Sequence, residues 1–590
     1  MNAIFITKKL TRMKNFLITL ILAIASISVS AQDVDIRLYE DIPMRDGINL
    51  SANIYFPGNG EKSHPVILIY TPYVNDEAVE RGMYFAKEGY VFMTLDLRGR
   101  GNSEGEYRPF EKDGIDGYDA VEWISKQEWC NGNIGMMGGS YRGMVQWMTL
   151  KNKPAALKTI VPTAAVGPGI DFPKFGGIFG NYSLQWLNFT GGVSRNGNMF
   201  GNGDYWSAKA MKKYKEFIPF KDWDLTALGE RNPIFQTWIS HPDFDEYWSG
   251  FYPTKDDYKS FDLPILTITG YFDGDQPGAM TYYGDHMKYG TEKGKANHYL
   301  ILGPWSHAGT RNPVTELGGL TFGEDSKLDM KKLHLEWFNW TLKDGEKPKF
   351  LEDRVGYYMM DQNTWKYSNK YENIANDSIT YYLSSPDSDA KLLINPGQLS
   401  LERSAASDKD IIINNPLDTV EVASYEGSDY YRSPIPIEEK GRVIYISNVM
   451  ETNTPVVGRF EVGLYLSMNV KDADLQVTLA SINSVGETKY IGNDRLRLRY
   501  RESLSKPKLV KPDEMFFCKF DSPYITALEV EKGSRLVLMV SEINSVYLQK
   551  NYNSGKDVSK ETEKDAQQAV INIYHSPESP SYIKIPIGVK

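Results

Sequence analysis

The run Ile134-Gly-Met-Met-Gly-Gly-Ser-Tyr-Arg-Gly143 limits what this chain can fold into more than any other segment. An apolar stretch leads into paired glycines, presents Ser140, and leaves as Tyr141-Arg-Gly-Met-Val-Gln-Trp-Met-Thr-Leu150, which has helical spacing. Strand, tight turn and helix in that order form a nucleophile elbow. Such a turn forces its serine into a cramped backbone conformation, so the neighbours must be small. Gly138, Gly139 and Gly143 meet that need. The usual pattern is G-x-S-x-G, and here the closing glycine stands one residue later. A serine among glycines also occurs in plain loops, so the elbow needs support from elsewhere.

The first support is alternation. Val66-Ile-Leu-Ile-Tyr70 and Tyr90-Val-Phe-Met-Thr-Leu95 are continuous apolar runs, as buried parallel strands require. Helical spacing over residues 78–87 and 118–127 separates them from each other and from the elbow strand, which indicates an α/β doubly wound domain. Asp46-Gly47 marks a hairpin turn ahead of it. After Pro162 the alternation stops. Residues 166–262 are rich in aromatic residues, Gly and Asn, with helical stretches at 205–217 and 232–239, and read as a helical cap inserted over the sheet. Strands resume at Leu263–Thr269 and His298–Leu302, and a helix over 331–342 closes the domain. From about residue 350, short strands such as Val443–Ile446, Phe460–Leu466, Leu475–Leu479, Arg495–Tyr500 and Arg535–Val540 follow one another, which reads as a jelly-roll β-sandwich. A chain of 590 residues is too long for one core and is expected to divide in this way.

The N-terminus reads as an export signal. Lys8, Lys9, Arg12 and Lys14 precede an apolar run from Phe16 to Ile27 that is too short to span a bilayer, and Val29-Ser-Ala31 offers cleavage before Gln32. Met13 is an alternative start, and an N-terminal membrane anchor is the competing reading. Removing residues 1–31 takes away four basic and no acidic residues, moving the net charge from -10 to -14. An acidic exported protein, periplasmic or extracellular, is a poor partner for nucleic acid and for anionic membrane, and no stable membrane insertion is expected after signal removal. The two cysteines, Cys130 and Cys518, fall in different expected domains; a disulfide is not favoured, and a cysteine-rich metal site is excluded.

A serine hydroxyl is a weak nucleophile. It needs an imidazole to take its proton and a carboxylate to fix the imidazole tautomer. In α/β hydrolases these follow in the order serine, acid, histidine, each just past the carboxyl end of a strand. Asp273, in Gly270-Tyr-Phe-Asp-Gly274, and His307, in Gly303-Pro-Trp-Ser-His-Ala308, fit both position and order. Asp262, Asp275 and Asp285 are rivals for the acid. His64, His241, His286, His298, His334 and His575 fit the base less well. The oxyanion needs donors. One is expected from the Tyr141 amide, and the loop Thr71-Pro-Tyr-Val74 offers the phenol of Tyr73, which spacing alone reads more readily as a packed aromatic.

Gly138-Gly-Ser-Tyr-Arg-Gly143, Thr71-Pro-Tyr73, Asp96-Leu-Arg-Gly-Arg-Gly-Asn-Ser-Glu-Gly105, Gly270-Tyr-Phe-Asp273, Gly303-Pro-Trp-Ser-His307 and His241-Pro-Asp-Phe-Asp-Glu-Tyr-Trp248 together resemble the cocaine esterase / X-Pro dipeptidyl-peptidase superfamily of serine hydrolases, near the α-amino acid ester hydrolases and glutaryl-7-aminocephalosporanic acid acylases. The likeness runs from about residue 35 to the C-terminus. It implies an α/β hydrolase fold with a helical cap insertion and a C-terminal jelly-roll β domain, divided at 1–31, 32–165 with 263–348, 166–262, and 349–590. It implies Ser140 as nucleophile, Asp273 and His307 as its partners, and the Tyr73 hydroxyl with the Tyr141 amide as oxyanion hole. The displaced glycine is the form this superfamily uses. Arg98 in the Asp96–Gly105 stretch reads as structural.

The resemblance does not choose a substrate. α-Amino acid ester hydrolases hold the substrate ammonium in a carboxylate cluster. Asp275 occupies one of its places, Gln276 stands where a second acid would be, and Asp171 is a third with its spacing shifted. Opposite charges attract strongly in a low-dielectric pocket, so even a partial cluster would draw an amine. The expected activity is cleavage of ester or amide acyl bonds through an acyl-enzyme, on a small-molecule or short-peptide substrate. The alternatives are an X-Pro dipeptidyl-peptidase or related aminopeptidase, and a carbohydrate-binding or structural protein with an inactive hydrolase domain. No metal and no organic cofactor is implied, and homo-oligomerisation is left open.

Overall fold

A computed structural model of the chain describes residues 34–74, 78–419 and 430–588. The expected signal, residues 1–31, lies outside the described residues. Ten strands form one sheet in the order Val34–Pro43, Asn49–Pro57, Val91–Asp96, His64–Thr71, Cys130–Ser140, Leu157–Ala165, Ile265–Phe272, His298–Ser306, Val355–Met359 and Thr364–Ser368. From Val91–Asp96 to Val355–Met359 neighbours run parallel. The apolar runs that suggested parallel strands are buried along their whole length at His64–Thr71 and Val91–Asp96, because helices cover both faces of the sheet.

The strands that precede the expected acid and base are longer than their apolar runs. Ile265–Phe272 and His298–Ser306 continue through their glycines, so Asp273 and His307 each stand one residue past a strand end. Close packing sets the glycines: a Cβ on Gly270 would lie 2.1 Å from the Trp305 carbonyl oxygen. The strands Val355–Met359 and Thr364–Ser368 follow residue 349, where the sequence becomes β-rich, yet they extend the first sheet. Val355–Met359 is fully buried and pairs in parallel with His298–Ser306.

Over the carboxyl ends of the strands lies a cap of short helices from Tyr182–Phe189 to Lys255–Tyr258, preceded by a small hairpin at Lys174–Phe175 and Ile178–Phe179. Its core is aromatic, with Trp186, Trp223, Trp238 and Trp248 buried. Among the described residues, fourteen strands from Ala375–Ser384 to Tyr582–Gly588 make the C-terminal β-sandwich. The strand expected at Arg495–Tyr500 instead runs Thr488–Arg497 and ends in a single turn at Leu498–Tyr500. Ion pairs anchor that turn: Arg497 forks onto Asp474 at 2.9 Å, and Arg499 reaches Asp472 at 2.8 Å. The sandwich closes against the catalytic half through Gln276, which is fully buried and exchanges hydrogen bonds with the backbone of Ile525. Arg98 bonds Asp116 and Asp46, tying the loop after Val91–Asp96 to the hairpin turn. Both thiols are unpaired, Cys518 deep in the sandwich. Among the described residues no helix is long and apolar enough to cross a membrane.

A histidine pair behind the elbow helix makes the fold sensitive to acid. His286 Nε2 faces the Phe261 carbonyl, so it carries the proton and leaves Nδ1 to accept from His298 Nδ1 at 2.9 Å; His298 Nε2 then accepts from Thr267. A further proton on His286 would set two N–H groups against each other, and one on His298 would turn the Thr267 hydroxyl from donor to acceptor. Burial pushes His286 down to about 4, His298 well below the ordinary range, and His334 to about 3. Each is neutral when folded and titrates near 6.5 when unfolded. Their stabilisation is therefore complete above about pH 6.5 and is lost as the pH falls toward 4. The expected loss from His286 alone is of order 3 kcal/mol by pH 4, read as a falling melting temperature. A melting temperature flat from pH 7 to 4.5 would refute this.

Candidate active site

Ser140 is the last residue of its strand and the helix Tyr141–Lys151 starts immediately after it. Its φ of 66° and ψ of -128° are strained for a residue with a side chain. Gly143 shows why the closing glycine is displaced. A Cβ there would lie 2.9 Å from the Thr163 carbonyl oxygen and 3.0 Å from the Ala165 Cα, because the first helical turn crosses the strand Leu157–Ala165. The position before it, Arg142, projects over the Tyr73 ring at 5.4 Å.

His307 Nδ1 meets Asp273 Oδ1 at 2.8 Å. Asp273 is sealed from solvent, and its Oδ1 also accepts the Asp275 amide at 3.0 Å. Asp275 Oδ2 lies 3.6 Å from the same histidine nitrogen and accepts the Ser140 hydroxyl at 3.4 Å. One carboxylate oxygen therefore touches both the serine and the imidazole. Burial opposes charge on His307, but Asp275 and Asp273 together outweigh it and raise the imidazole to about 9. Burial raises Asp275 to about 6, with Asp273 adding to it and His307 opposing. Donor atoms of Asp273, Asp275 and His307 all lie within 4.8 Å of one another, close enough to share a cation. A cation there would displace the proton that His307 Nδ1 shares with Asp273.

The Tyr73 hydroxyl accepts the Trp186 indole N–H at 3.3 Å and lines the same cavity as Ser140. Since the indole fills an acceptor position of the phenol, the phenolic hydrogen remains to donate. The Tyr141 amide is in the first helical turn, which has no intrahelical acceptor. Its side chain points away: the hydroxyl accepts from the Phe110 amide and donates to Asp113, and the ring stacks on Phe110 and Trp186. That anchor fixes the amide.

Tyr73, Ser140, Asp275 and His307 thus line one cavity of about 240 Å³, with Phe172, Tyr182 and Trp186 forming its apolar wall. Asp171 is not among the residues lining it. Its two carboxylate oxygens accept the Gly167 and Gly278 amides at 2.8 and 2.6 Å, and burial with the nearby Asp275 charge pushes it well above the ordinary range. Gln276 faces the sandwich. The expected carboxylate cluster is thus one acid lining this cavity, Asp275, with Asp171 held by backbone amides outside its lining. Trp186, Arg311 and Tyr524 also bear on the site. None was visible in the sequence: Trp186 and Tyr524 come from the cap and the sandwich, and no local spacing ties them to the elbow.

Residues 46–309 match the family model for X-Pro dipeptidyl-peptidase (S15 family), and residues 349–584 match the X-Pro dipeptidyl-peptidase C-terminal non-catalytic domain. Cocaine esterase of Rhodococcus sp. (strain MB1 Bresler) is 26% identical over 573 residues, spanning 92% of this chain and 97% of that protein. Two solved structures superpose with a TM-score of 0.80, each covering 95% of this chain and 97% of its own. One is an α-amino acid ester hydrolase at 22% identity, the other an aminopeptidase of a Thaumarchaeota archaeon from marine sediment at 21%. At that identity they speak for the fold alone.

Proposed function

Because this chain belongs to the cocaine esterase / X-Pro dipeptidyl-peptidase superfamily of serine hydrolases, we propose that it hydrolyses ester or amide acyl bonds through an acyl-enzyme on Ser140. The observation that carries this reading is the His307 Nδ1 to Asp273 hydrogen bond of 2.8 Å at the wall of the cavity that Ser140 lines. With Nδ1 held, Nε2 is the nitrogen available to take the serine proton. For attack the hydroxyl exchanges Asp275 for His307 Nε2 as its hydrogen-bond partner. It attacks the acyl carbon, and the oxyanion is met by the Tyr141 amide and the Tyr73 hydroxyl. His307 then protonates the leaving group and activates the water that releases the acyl group. The cavity of about 240 Å³ suits a small acyl group. The export signal expected at residues 1–31 would place the reaction in the periplasm or outside the cell.

Fluorophosphonate labelling tests the nucleophile. The adduct should map to Ser140 alone; an unlabelled protein would make this an inactive hydrolase fold.

Asp275 favours α-aminoacyl substrates, and with them the aminopeptidase or dipeptidyl-peptidase reading, because it is a carboxylate facing the serine with only weak partners. It also sets the pH dependence. A base held at about 9 is neutral in only about one molecule in a hundred at pH 7, so kcat/KM for a neutral ester should rise with pH, pass its midpoint at about 9 and level off above it. Asp275→Asn removes the larger of the two charges that raise His307. The rising limb should then move to lower pH, the neutral ester should turn over faster at pH 7, and any preference for free over acetylated amines should fall. An unmoved limb in the variant would show that Asp275 does not govern the base.

A further inference from the structure

A second cavity, of about 420 Å³, adjoins the first between the cap and the β-sandwich. Tyr182 lines both, and the consecutive residues Phe172 and Pro173 line one each. Phe175, Trp206 and Trp223 give the larger cavity an apolar body. Its polar side chains are nearly all committed. Lys174 Nζ donates to the carbonyls of His241, Pro242 and Asp243, and Asp171 accepts two amides. Asn181 bonds Lys213 and Val546, and Gln185 bonds Phe200.

Arg495 is the exception. Its Nε is buried and takes no hydrogen bond among the described residues. Its guanidinium lies over the Phe175 ring at 5.0 Å, which covers a face and leaves the donor edge. Acids close by are used elsewhere: Asp474 forks onto Arg497, and Asp494, adjacent on the strand and so on its other face, accepts the Arg495 backbone amide at 2.7 Å. Burial lowers the Arg495 guanidinium from its ordinary value. A half-buried cation with a buried, unpaired Nε is costly, and a ligand anion reduces that cost. The guanidinium edge matches a carboxylate in two parallel hydrogen bonds.

We propose that this cavity is a second substrate subsite, taking an aromatic or aliphatic group that ends in a carboxylate bound by Arg495. The orientation rests on the reading of Ser140 as nucleophile: the reacting carbon sits at Ser140 and the chain passes Tyr182 to Arg495. The carboxylate belongs either to the acyl portion or to the leaving group.

Binding is read without catalysis by calorimetric titration of the Ser140→Ala protein with 4-phenylbutanoate and with 4-phenylbutanamide. The acid should bind about ten-fold more tightly. Adding Arg495→Gln should reduce that advantage to about three-fold or less, and Arg495→Lys should keep part of it, having the charge without the fork. If Arg495→Gln fails to fold, Arg495→Lys alone should still lower the advantage. Equal affinity for acid and amide, or an advantage that survives both substitutions, overturns the proposal. A wrong assignment of Ser140 would leave these titrations unchanged. Turnover then tells the two sources apart. Hydrogen adipate p-nitrophenyl ester against its methyl ester reads the acyl side, and alanyl-4-aminobenzoate against alanyl anilide reads the leaving group. An Arg495-dependent preference in one pair supports the subsite and assigns its side; none in either overturns it.

Discussion

Ser140→Ala should lose about 10,000- to 1,000,000-fold in kcat/KM on p-nitrophenyl esters while leaving the melting temperature nearly unchanged. Removing a nucleophile that acts as a unit with its base removes nearly all of their joint contribution. What remains over the uncatalysed rate comes from oxyanion stabilisation and binding. At about 1.4 kcal/mol per factor of ten, the loss corresponds to roughly 5–8 kcal/mol of transition-state stabilisation. Stability should barely move because alanine occupies the same strained backbone at φ 66° and forfeits only a 3.4 Å hydrogen bond to Asp275. Both readouts are needed. A variant that is inactive but melts early has lost its fold, and one that is stable yet within ten-fold of the parent has another nucleophile.

Much of the site was legible because the chemistry is tied to strand ends. The continuous apolar runs at Val66–Tyr70 and Tyr90–Leu95 have the pattern that buried parallel strands require. A parallel sheet brings its carboxyl ends, and so Tyr73, Ser140, Asp273 and His307, to one edge. The glycines within the later strands concealed their length, since glycine reads as a turn signal when the close approach it permits is out of sight. Periodicity also could not tell which sheet a strand joins, and Val355–Met359 belongs to the first although its neighbours in sequence build the second. Asp171 shows a deeper limit. The resemblance to α-amino acid ester hydrolases implied it as a possible amine ligand, but which amides reach a carboxylate is not visible in sequence, and the Gly278 amide comes from a helix more than a hundred residues later. Arg495 and Tyr524 are further still from the elbow in sequence. Their approach depends on how the sandwich docks against the cap.

The doubled acid beside His307 leads to the second large expected effect. Asp273→Asn, measured at pH 9.5 where His307 of the parent is mostly neutral, should cost about 100- to 1,000-fold in kcat/KM. The loss of a sole orienting carboxylate costs about 10,000-fold. The difference arises because Asp275 Oδ2 already stands 3.6 Å from the same imidazole nitrogen and can take over its proton when the 2.8 Å partner is neutralised. Asp275→Asn alone should cost little at this pH on a neutral ester, since Asp273 keeps the stronger bond. The double variant should then fall to the level of losing a sole orienting acid, about 10,000-fold or more, well beyond the product of the two single losses. That excess measures the carboxylates' ability to replace each other. Strict additivity would mean that Asp275 never reaches the imbalance left by Asp273, and that its only role at the site is to hold Ser140 and to meet the substrate. The stability of the variants separates orientation from folding. Asp273 is sealed from solvent and accepts the Asp275 amide, so asparagine keeps that hydrogen bond through its own carbonyl, and the fold should survive a change that removes most of the activity.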